Sequence, residues 1–255
     1  MQTNDVLNVN GENSGKAMRL LERLSAQLDE LTLVSRFQAL GEDKVLEFVH
    51  SDRRVRFFLP YALKDFIQRV ILKTLSFYEN ADLEKFRHLV PPQAVIIDAG
   101  ANIGNHSVFF SVICEAKKIY AFEPMAQTFG ILQRNAALNA PDCIECINAA
   151  LGEADGRADL LGYRAHNFGA ARVAVNADGL YRVTTIDGLG LTKLDIIKVD
   201  VEGSQALVLE GARQTLSRCS PRIWMERNPA GEAKLASLGY AKSFEVSKNN
   251  FVWEK

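Results

Sequence analysis

The sequence lacks long apolar runs and has no surplus of charge of either sign. No apolar stretch approaches the roughly 20 residues that a membrane-spanning helix needs. Lys and Arg number 30 and Asp and Glu 31, which gives a net charge of −1. Because neutralising nucleic-acid phosphates takes a surplus of basic side chains, this balance argues against a polyanion as the main partner. Residues 1–15 are polar and do not resemble a secretory signal, so we expect a cytoplasmic protein.

Cysteine and histidine are also scarce, with four of each. Cys143 and Cys146 form a CxxC pair, but a second ligand pair at matching spacing is missing, and the alternation in CIECIN is typical of a strand. No histidine or aspartate pair has ligand spacing backed by a third ligand. We therefore predict reduced thiols and no metal site.

Two common nucleotide-binding fingerprints are absent from the stretch VIIDAGANIGNHSVFFS, which has the strand, glycine turn and helix of an α/β nucleotide pocket. The dinucleotide pattern G-x-G-x-x-G, started at Gly100, needs glycine where Asn102 and Asn105 stand. No Gly-Lys-Ser/Thr of a P-loop follows. Asp98, at the end of the strand, would repel phosphates but could accept hydrogen bonds from an ammonium group. A ligand with an amino-acid end, such as S-adenosylmethionine, fits better.

A second acidic residue favours the same kind of pocket. Glu123 ends the strand in YAFEP, about 20 positions after Gly104, which is the separation at which an acidic residue binds ribose hydroxyls in dinucleotide folds. Asp98 could instead cap a helix, and Glu123 could be a surface carboxylate. Their places at the ends of consecutive strands favour ligand binding.

Apolar strands alternate with amphipathic helices from Ala94 onward, and KSFEV and NFVWEK close the chain as an antiparallel pair. This pattern predicts an α/β fold with a mainly parallel sheet covered by helices on both faces. We place a boundary between an N-terminal extension, residues 1–76, and an α/β domain, residues 77–255. Within the extension we predict a loose start over 1–15, a helix over 16–40, a β-hairpin around HSDR and a helix over 61–77.

The helix predicted over residues 16–40 carries a narrow apolar stripe with steps of four and three. The stripe consists of Ala17, Leu21, Leu24, Leu28 and Leu31. A seam of two to three heptads suits a helix lying on the domain's own surface, and it also suits a helix that joins two copies in a homodimer. The sequence leaves both open.

The motifs IIDAGANIGNHSVFFS, IYAFEP, NAALG, TTID and IKVDVEG occur in this order and closely resemble the FkbM-type S-adenosylmethionine-dependent methyltransferases. The resemblance covers about residues 77–227. It implies a Rossmann-like class I methyltransferase fold with a seven-stranded sheet. It also implies S-adenosylmethionine as cofactor and O-methyl transfer to a sugar, glycan or specialised metabolite. Many members carry an acidic residue where this chain has Gln205, which leaves the role of that position open.

The resemblance also implies which residues bind the cofactor. Glu123 would bind the ribose, Asn148 and Ala149 would lie near the adenine, and Glu79 would approach the methionine end. The full implied set is Glu79, Asp98, Gly100, Asn102, Gly104, Asn105, Glu123, Asn148 and Ala149.

The reacting groups should stand at the carboxyl ends of parallel strands, where ligands of open α/β sheets bind. DIIKVDVEG supplies Asp200 and Glu202 there. A base that takes the acceptor's proton typically contributes on the order of 10²–10⁴-fold. Asp200 and His106 are the candidates, Glu202 would bind the acceptor or hold Asp200, and a structural role for His106 stays open.

The polar region 153–182 would shape acceptor choice, because specificity is usually carried by loops on a rigid scaffold. It includes side chains that suit a polar, sugar-like acceptor: Tyr163, Arg164, His166, Asn167, Phe168 and Tyr181.

Other functions remain as alternatives. One is a catalytically silent S-adenosylmethionine-binding module in an assembly, and another is a nucleotide-dependent oxidoreductase, which Asn102 and Asn105 disfavour. A nucleic-acid methyltransferase is disfavoured by the neutral charge and by DVEG where such enzymes carry Asn/Asp-Pro-Pro-aromatic.

Overall fold

The computed structural model describes residues 4–161 and 172–255, with side chains described for residues 16–159 and 176–255. Most of the predicted acceptor-facing residues of the 153–182 region lie outside these ranges: Tyr163, Arg164, His166, Asn167 and Phe168.

The N-terminal part contains three helices and a hairpin. In chain order they are α1 (Asn4–Ala39), β1 (Val45–His50), β2 (Arg53–Phe58), α2 (Phe66–Thr74) and α3 (Asn80–Arg87). β1 and β2 pair antiparallel, as the sequence predicts.

The remainder alternates strands and helices. Its first half comprises β3 (Val95–Ala99), α4 (Asn105–Val112), β4 (Lys118–Phe122), α5 (Ala126–Asn139), β5 (Ile144–Ile147), β6 (Ala150–Leu151) and β7 (Gly156–Leu161). Its second half comprises β8 (Arg172–Val175), β9 (Tyr181–Thr184), β10 (Ile196–Val199), α6 (Gln205–Glu210), α7 (Arg213–Cys219), β11 (Arg222–Glu226), α8 (Pro229–Ser237), β12 (Ala241–Ser247) and β13 (Asn250–Glu254).

Seven of these strands form the central sheet in the order β12-β13-β11-β10-β3-β4-β5. The five strands from β11 to β5 are parallel, and β13 runs antiparallel to both β11 and β12. The predicted fold class is therefore confirmed: an α/β fold with a mainly parallel seven-stranded sheet. β6 to β9 form a separate four-stranded sheet beside it.

Each face of the central sheet is covered by its own apolar cluster. Neighbouring residues of a strand point to opposite faces, so Ile96 joins one cluster while Ile97 joins the other. The first cluster includes residues of α3, α4 and α5, and the second includes residues of α6, α7 and α8. The β-branched side chains of the central strands suit a sheet that is buried on both faces.

The hairpin belongs to the first of these clusters. Val55 and Phe57 of β2 are fully buried with Phe77 and Phe109, and the rings of Phe57 and Phe109 both meet the ring of Phe77 edge to face. The hairpin thus shares a core with the central sheet. The boundary between residues 76 and 77 stays a proposal about sequence organisation.

Two helices differ from their predicted bounds. Residues 4–15 are helical, so the expectation of a loose start was wrong for them; extending an existing helix costs little, and no proline interrupts this one. α2 is shorter than the predicted 61–77, because Asp65 caps its start by accepting from the Gln68 N–H and Leu75 ends it with a left-handed φ of 52°. Among the described residues, no helix is long and apolar enough to cross a membrane.

Candidate active site

A cavity of about 280 Å³ opens where the parallel strands end. It lies against the carboxyl ends of β3, β4, β10 and β11, the place where open α/β sheets bind ligands. Predicted site residues that line it are Glu79, Gly100, Asn102, Asn105, His106, Glu123, Ala149, Asp200 and Glu202.

The glycine turn after β3 brings two strand ends into close contact. Gly100 has a left-handed φ of 79°, and a Cβ at this position would lie 2.0 Å from the carbonyl oxygen of Asp200. No other residue fits there without moving β10. Gly104 has a φ of 87° and precedes α4, but it packs towards Leu132 and does not line the cavity.

Glu123 is fixed by the turn that it faces. Its carboxylate accepts hydrogen bonds from the Asn102 N–H at 3.1 Å and the Met125 N–H at 2.9 Å. Burial raises the pKa of Glu123 to about 7, although both backbone hydrogen bonds act in the opposite direction. A buried carboxylate at this strand end is suited to bind ribose hydroxyls.

Asp98 does not have the direct ligand contact that the sequence predicts. Its side chain is fully buried, does not line the cavity, and accepts a hydrogen bond from Ser107 Oγ at 2.6 Å. One carboxylate oxygen lies 3.3 Å from Lys198 Nζ. The ammonium group nearest to this carboxylate thus belongs to a lysine of the protein.

Lys198 lies at the centre of this buried network. Its ammonium is 3.3 Å from Asp98 and from Asp200, and it donates to the carbonyl oxygen of Gly100 at 3.2 Å. Burial works against the charged form, but the two carboxylates outweigh it and raise the pKa of Lys198. These contacts favour a role in charge pairing for Lys198 over a role in catalysis.

His106 and Glu79 both line the cavity and lie close to each other. His106 is 6% exposed and packs edge to face on Trp224. Its Nε2 lies 3.5 Å from a carboxylate oxygen of Glu79, at the outer limit for a hydrogen bond, so this buried nitrogen has no good partner among the described residues. Burial acts to raise the pKa of Glu79, but His106 and Lys198 outweigh it and the pKa is lowered.

Asn105 holds the backbone just before Glu79 in place. Its side-chain oxygen accepts from the Tyr78 N–H at 2.9 Å, and its amide donates to the Tyr78 carbonyl at 3.0 Å. Glu79, the next residue, has a left-handed φ of 55°, which is unusual for a residue with a side chain. Asn105 therefore holds the segment that aims Glu79 into the cavity.

The remaining site residues divide into those that the sequence identified and those that it missed. Asn148 donates to the carbonyls of Glu123 and Pro124 and does not line the cavity. Tyr78, Trp224 and Glu226 line it without having been predicted. Glu226 could have been found, because the alternation of apolar strands and helices predicts a strand over PRIWMER and Glu226 stands at its carboxyl end.

A comparison with family models matches residues 98–250 to the methyltransferase FkbM domain. The chain belongs to this family. The match spans the glycine turn, Glu123 and the strand end with Asp200, and it confirms the resemblance that the motifs indicate.

Two curated relatives agree with this assignment. The methyltransferase sdnD of Sordaria araneosa is 26% identical over 248 residues, which are 81% of this chain and 92% of that protein. The hexuronic acid methyltransferase AglP of Haloferax volcanii is 31% identical over 173 residues, 61% of this chain and 66% of that protein.

A solved structure is also similar. Methyltransferase FkbM of Methylobacillus flagellatus matches with a TM-score of 0.45 and 15% identity. The match covers 89% of this chain and 60% of that protein. A likeness at this level says nothing about an acceptor.

The cavity suits the cofactor of this family, S-adenosylmethionine. Gly100 lines the cavity at the turn after β3, where its backbone carries no side chain towards Asp200. Glu123 and Glu79 both line the cavity, and their carboxylates would suit the ribose hydroxyls and the ammonium group of the cofactor. The protein is thus a methyltransferase with residues fitted to this cofactor.

Proposed function

We propose that the protein is an O-methyltransferase acting on a hydroxyl of a sugar, glycan or specialised metabolite. The observation that carries this proposal is the buried, poorly partnered Nε2 of His106 in the same cavity as the Asp200 carboxylate. The hexuronic acid named for the relative AglP supports a sugar-like acceptor. The predicted cytoplasmic location remains part of this proposal.

Different residues of the site would bind the cofactor, bind the acceptor and take the acceptor's proton. S-adenosylmethionine supplies the activated methyl group when it is bound; Glu123 and Glu79 would hold its ribose and its ammonium end. The acceptor hydroxyl must lose its proton as its oxygen is methylated. His106 Nε2 and the Asp200 carboxylate are the two groups placed to take this proton, and Glu202, which lines the same cavity, would bind the acceptor.

Incubation with labelled S-adenosylmethionine and a panel of glycans, sugar nucleotides and metabolite extracts tests the activity. We expect His106→Gln and Asp200→Asn each to lower the methylation rate by about 10²-fold or more if the residue is the base. The controls are His88→Gln and Asp142→Asn, at exposed positions outside the cavity. If no acceptor is methylated while S-adenosylmethionine binds, the silent-module alternative replaces this proposal.

We also propose that α1 joins two copies of the chain. Leu21, Leu24, Leu28 and Leu31 are each more than half exposed. In the heptad that they define, the flanking positions carry Met18, Leu20, Ser25, Gln27 and Thr32, none of which is charged. Two such helices can therefore pair without like-charge repulsion along the seam.

The oligomeric state in solution tests this second proposal. We expect a dimer by sedimentation velocity at micromolar concentration, and a monomer after Leu24→Glu with Leu28→Glu, because burying the new charges is unfavourable. Ala26→Glu, on the opposite side of the helix, should leave the dimer intact. A monomeric wild-type protein would contradict the proposal.

A further inference from the structure

The wall of the cavity is strongly acidic. Among the described residues that line it, Lys198 alone is a lysine or arginine. The acidic lining residues are Glu79, Glu123, Asp200, Glu202 and Glu226. Lys198 and S-adenosylmethionine, whose net charge is +1, offset only part of this negative charge.

Lys198 is already paired with groups of the protein. An ammonium has three N–H donors, and the three nearest acceptors of Lys198 are Asp98, Asp200 and the carbonyl oxygen of Gly100, all within 3.3 Å. A carboxylate or phosphate on the acceptor would have to displace one of these partners. It would also meet the negative charge of the surrounding wall.

Asp200 and Glu226 are neighbouring carboxylates at the carboxyl ends of β10 and β11. β10 and β11 are parallel neighbours in which Val199 pairs with Met225. The next residues, Asp200 just after β10 and Glu226 at the end of β11, therefore lie at the same level. Neighbouring strands lie about 4.8 Å apart. Burial, and then the charges of Asp200, Glu202 and Glu79, raise the pKa of Glu226. A cation placed between the strand ends would relieve this repulsion.

His106 provides an independent indication that a polar ligand binds here. Its ring is nine-tenths buried and its Nε2 lacks a good hydrogen-bond partner among the described residues. Since a buried polar atom without a partner is costly, a hydroxyl of the ligand is its natural complement. The cavity thus presents a hydroxyl-binding nitrogen and a pair of carboxylates to the same acceptor.

We propose that the acceptor is an amino polyol, such as an amino sugar, whose ammonium group is bound by Glu226 beside Asp200. This proposal rests on the proposed O-methyl transfer and adds the charge of the substrate. Carboxylate-bearing acceptors of the same shape are discriminated against, because like charges at a binding site oppose association. In this respect we expect the acceptor to differ from the hexuronic acid named for the relative AglP, which supports only the sugar-like shape.

Three matched acceptors test the proposal: the methyl glycosides of glucosamine, glucose and glucuronic acid. With the full chain and labelled S-adenosylmethionine at low salt, we expect kcat/KM to fall from the amine to the neutral sugar to the uronate. The difference between the first and the last should be at least about 10-fold and should shrink at high salt. A higher kcat/KM for the neutral sugar or the uronate overturns the proposal while leaving the O-methyltransferase function intact.

Glu226→Gln tests the residue assignment. We expect it to lower kcat/KM for the amine about 10-fold more than for the neutral sugar. Glu245→Gln, at an exposed position of β12, should change neither value. An amine preference that survives Glu226→Gln contradicts the assignment to this residue.

A binding titration separates the two proposals if none of the three sugars is methylated. Calorimetry with the protein saturated in S-adenosylhomocysteine should then show the glucosamine glycoside binding more tightly than the glucuronide, with the preference lost in Glu226→Gln. That result keeps the charge proposal and counts against methyl transfer to these sugars. Absence of glucosaminide binding up to millimolar concentration contradicts the charge proposal.

Discussion

A single buried lysine links the glycine turn to the strand that carries Asp200. We expect Lys198→Met to destabilise the protein by about 3–5 kcal/mol, because it leaves the Asp98 carboxylate buried without its counter-charge. Urea-induced unfolding measures this change. Lys193→Met is the control, since the ion pair of Lys193 with Asp195 lies at the surface and contributes at most about 1 kcal/mol.

A second variant tests the cause of that loss. Adding Asp98→Asn to Lys198→Met removes the uncompensated charge, and the Asn oxygen can still accept from Ser107. We expect the double variant to be more stable than Lys198→Met alone. If Lys198→Met and Lys193→Met lowered the free energy of unfolding equally, the buried ion pair would contribute no more to stability than the surface ion pair.

Glu123 should make the cofactor-free protein less stable as the pH rises. Its folded pKa of about 7 lies above the ordinary 4.5, so the folded state binds more protons than the unfolded state between these values. Stability from this residue is therefore complete below about pH 4.5 and is lost as the pH rises through 7. The loss should amount to roughly 3 kcal/mol by pH 8.

Glu123→Gln isolates this contribution. The stability of Glu123→Gln relative to wild type should rise by a few kcal/mol between pH 5 and pH 8, whatever constant cost the lost backbone hydrogen bond adds. Glu245→Gln provides the comparison, as an exposed carboxylate without a place in the site. Parallel stability curves for Glu123→Gln and wild type would contradict the raised pKa.

The sequence predicted those site residues whose position follows from strand order. Glu123 and Asp200 follow β4 and β10, the two parallel strands on either side of β3, and Gly100 occupies a turn that tolerates no side chain. The sequence did not show that Asp98 is buried beside Lys198, because this lysine, 100 positions later, comes within ion-pair distance only after β3 and β10 pair. Spacing along the chain does not reveal such long-range pairs.

At the scale of the elements, two asparagines of α5 attach the hairpin to the site. Asn135 accepts from the Phe58 N–H at 2.6 Å and donates to the Ile103 carbonyl at 2.8 Å, so it joins β2 to the glycine turn. Asn139 accepts from the Arg56 N–H and donates to its carbonyl oxygen. Together they continue the hydrogen bonding of β2 onto a helix.

We expect Asn135→Ala to cost about 2 kcal/mol or more, because it leaves two backbone groups without partners in a buried place. Asn139→Ala should cost less than about 1 kcal/mol, since water can replace its more exposed bonds. Asn135→Ala should also weaken S-adenosylmethionine binding in a calorimetric titration, because Ile103 belongs to the turn. Similar costs for both variants would show that burial does not distinguish the two asparagines.

Element types were easier to predict than element ends. The hairpin, the alternating strands and helices, and the antiparallel close of the chain all follow from apolar periodicity. The ends of α2 depend on the Asp65 cap and on the left-handed Leu75, which periodicity does not show. Helix α1 extends to Asn4 through residues whose individual propensities are poor.

At the scale of the whole molecule, different segments of the N-terminal part contribute very differently to the buried core. Residues 16–32 of α1 are exposed, whereas Leu33 is almost fully buried. Asp29 and Glu30 form ion pairs with Lys73 and Arg69 of α2. The sequence boundary at residue 76 does not reflect this division, because a local pattern cannot show that the hairpin and the sheet fill one core.

Truncated chains should reveal the division. A chain starting at residue 28 keeps the ion pairs of α1 with α2, and we expect it to unfold cooperatively within a few degrees of the full chain. A chain starting at residue 77 loses the fully buried side chains of Val55, Phe57, Leu59, Ile71 and Leu72. At about 1.5–3 kcal/mol each, their burial contributes on the order of 10 kcal/mol, comparable with the whole stability of an ordinary domain.

We therefore expect residues 77–255 alone to lack a cooperative thermal transition by circular dichroism and to aggregate through the uncovered face around Phe77 and Phe109. A chain that starts at residue 42 and so retains the hairpin is the informative intermediate. It should regain cooperativity, because among the residues from 16 onward, whose side chains are described, Leu33 is the one large buried side chain then missing. A stable, cooperatively folding 77–255 fragment would instead establish residue 76 as a true domain boundary and the hairpin as an accessory.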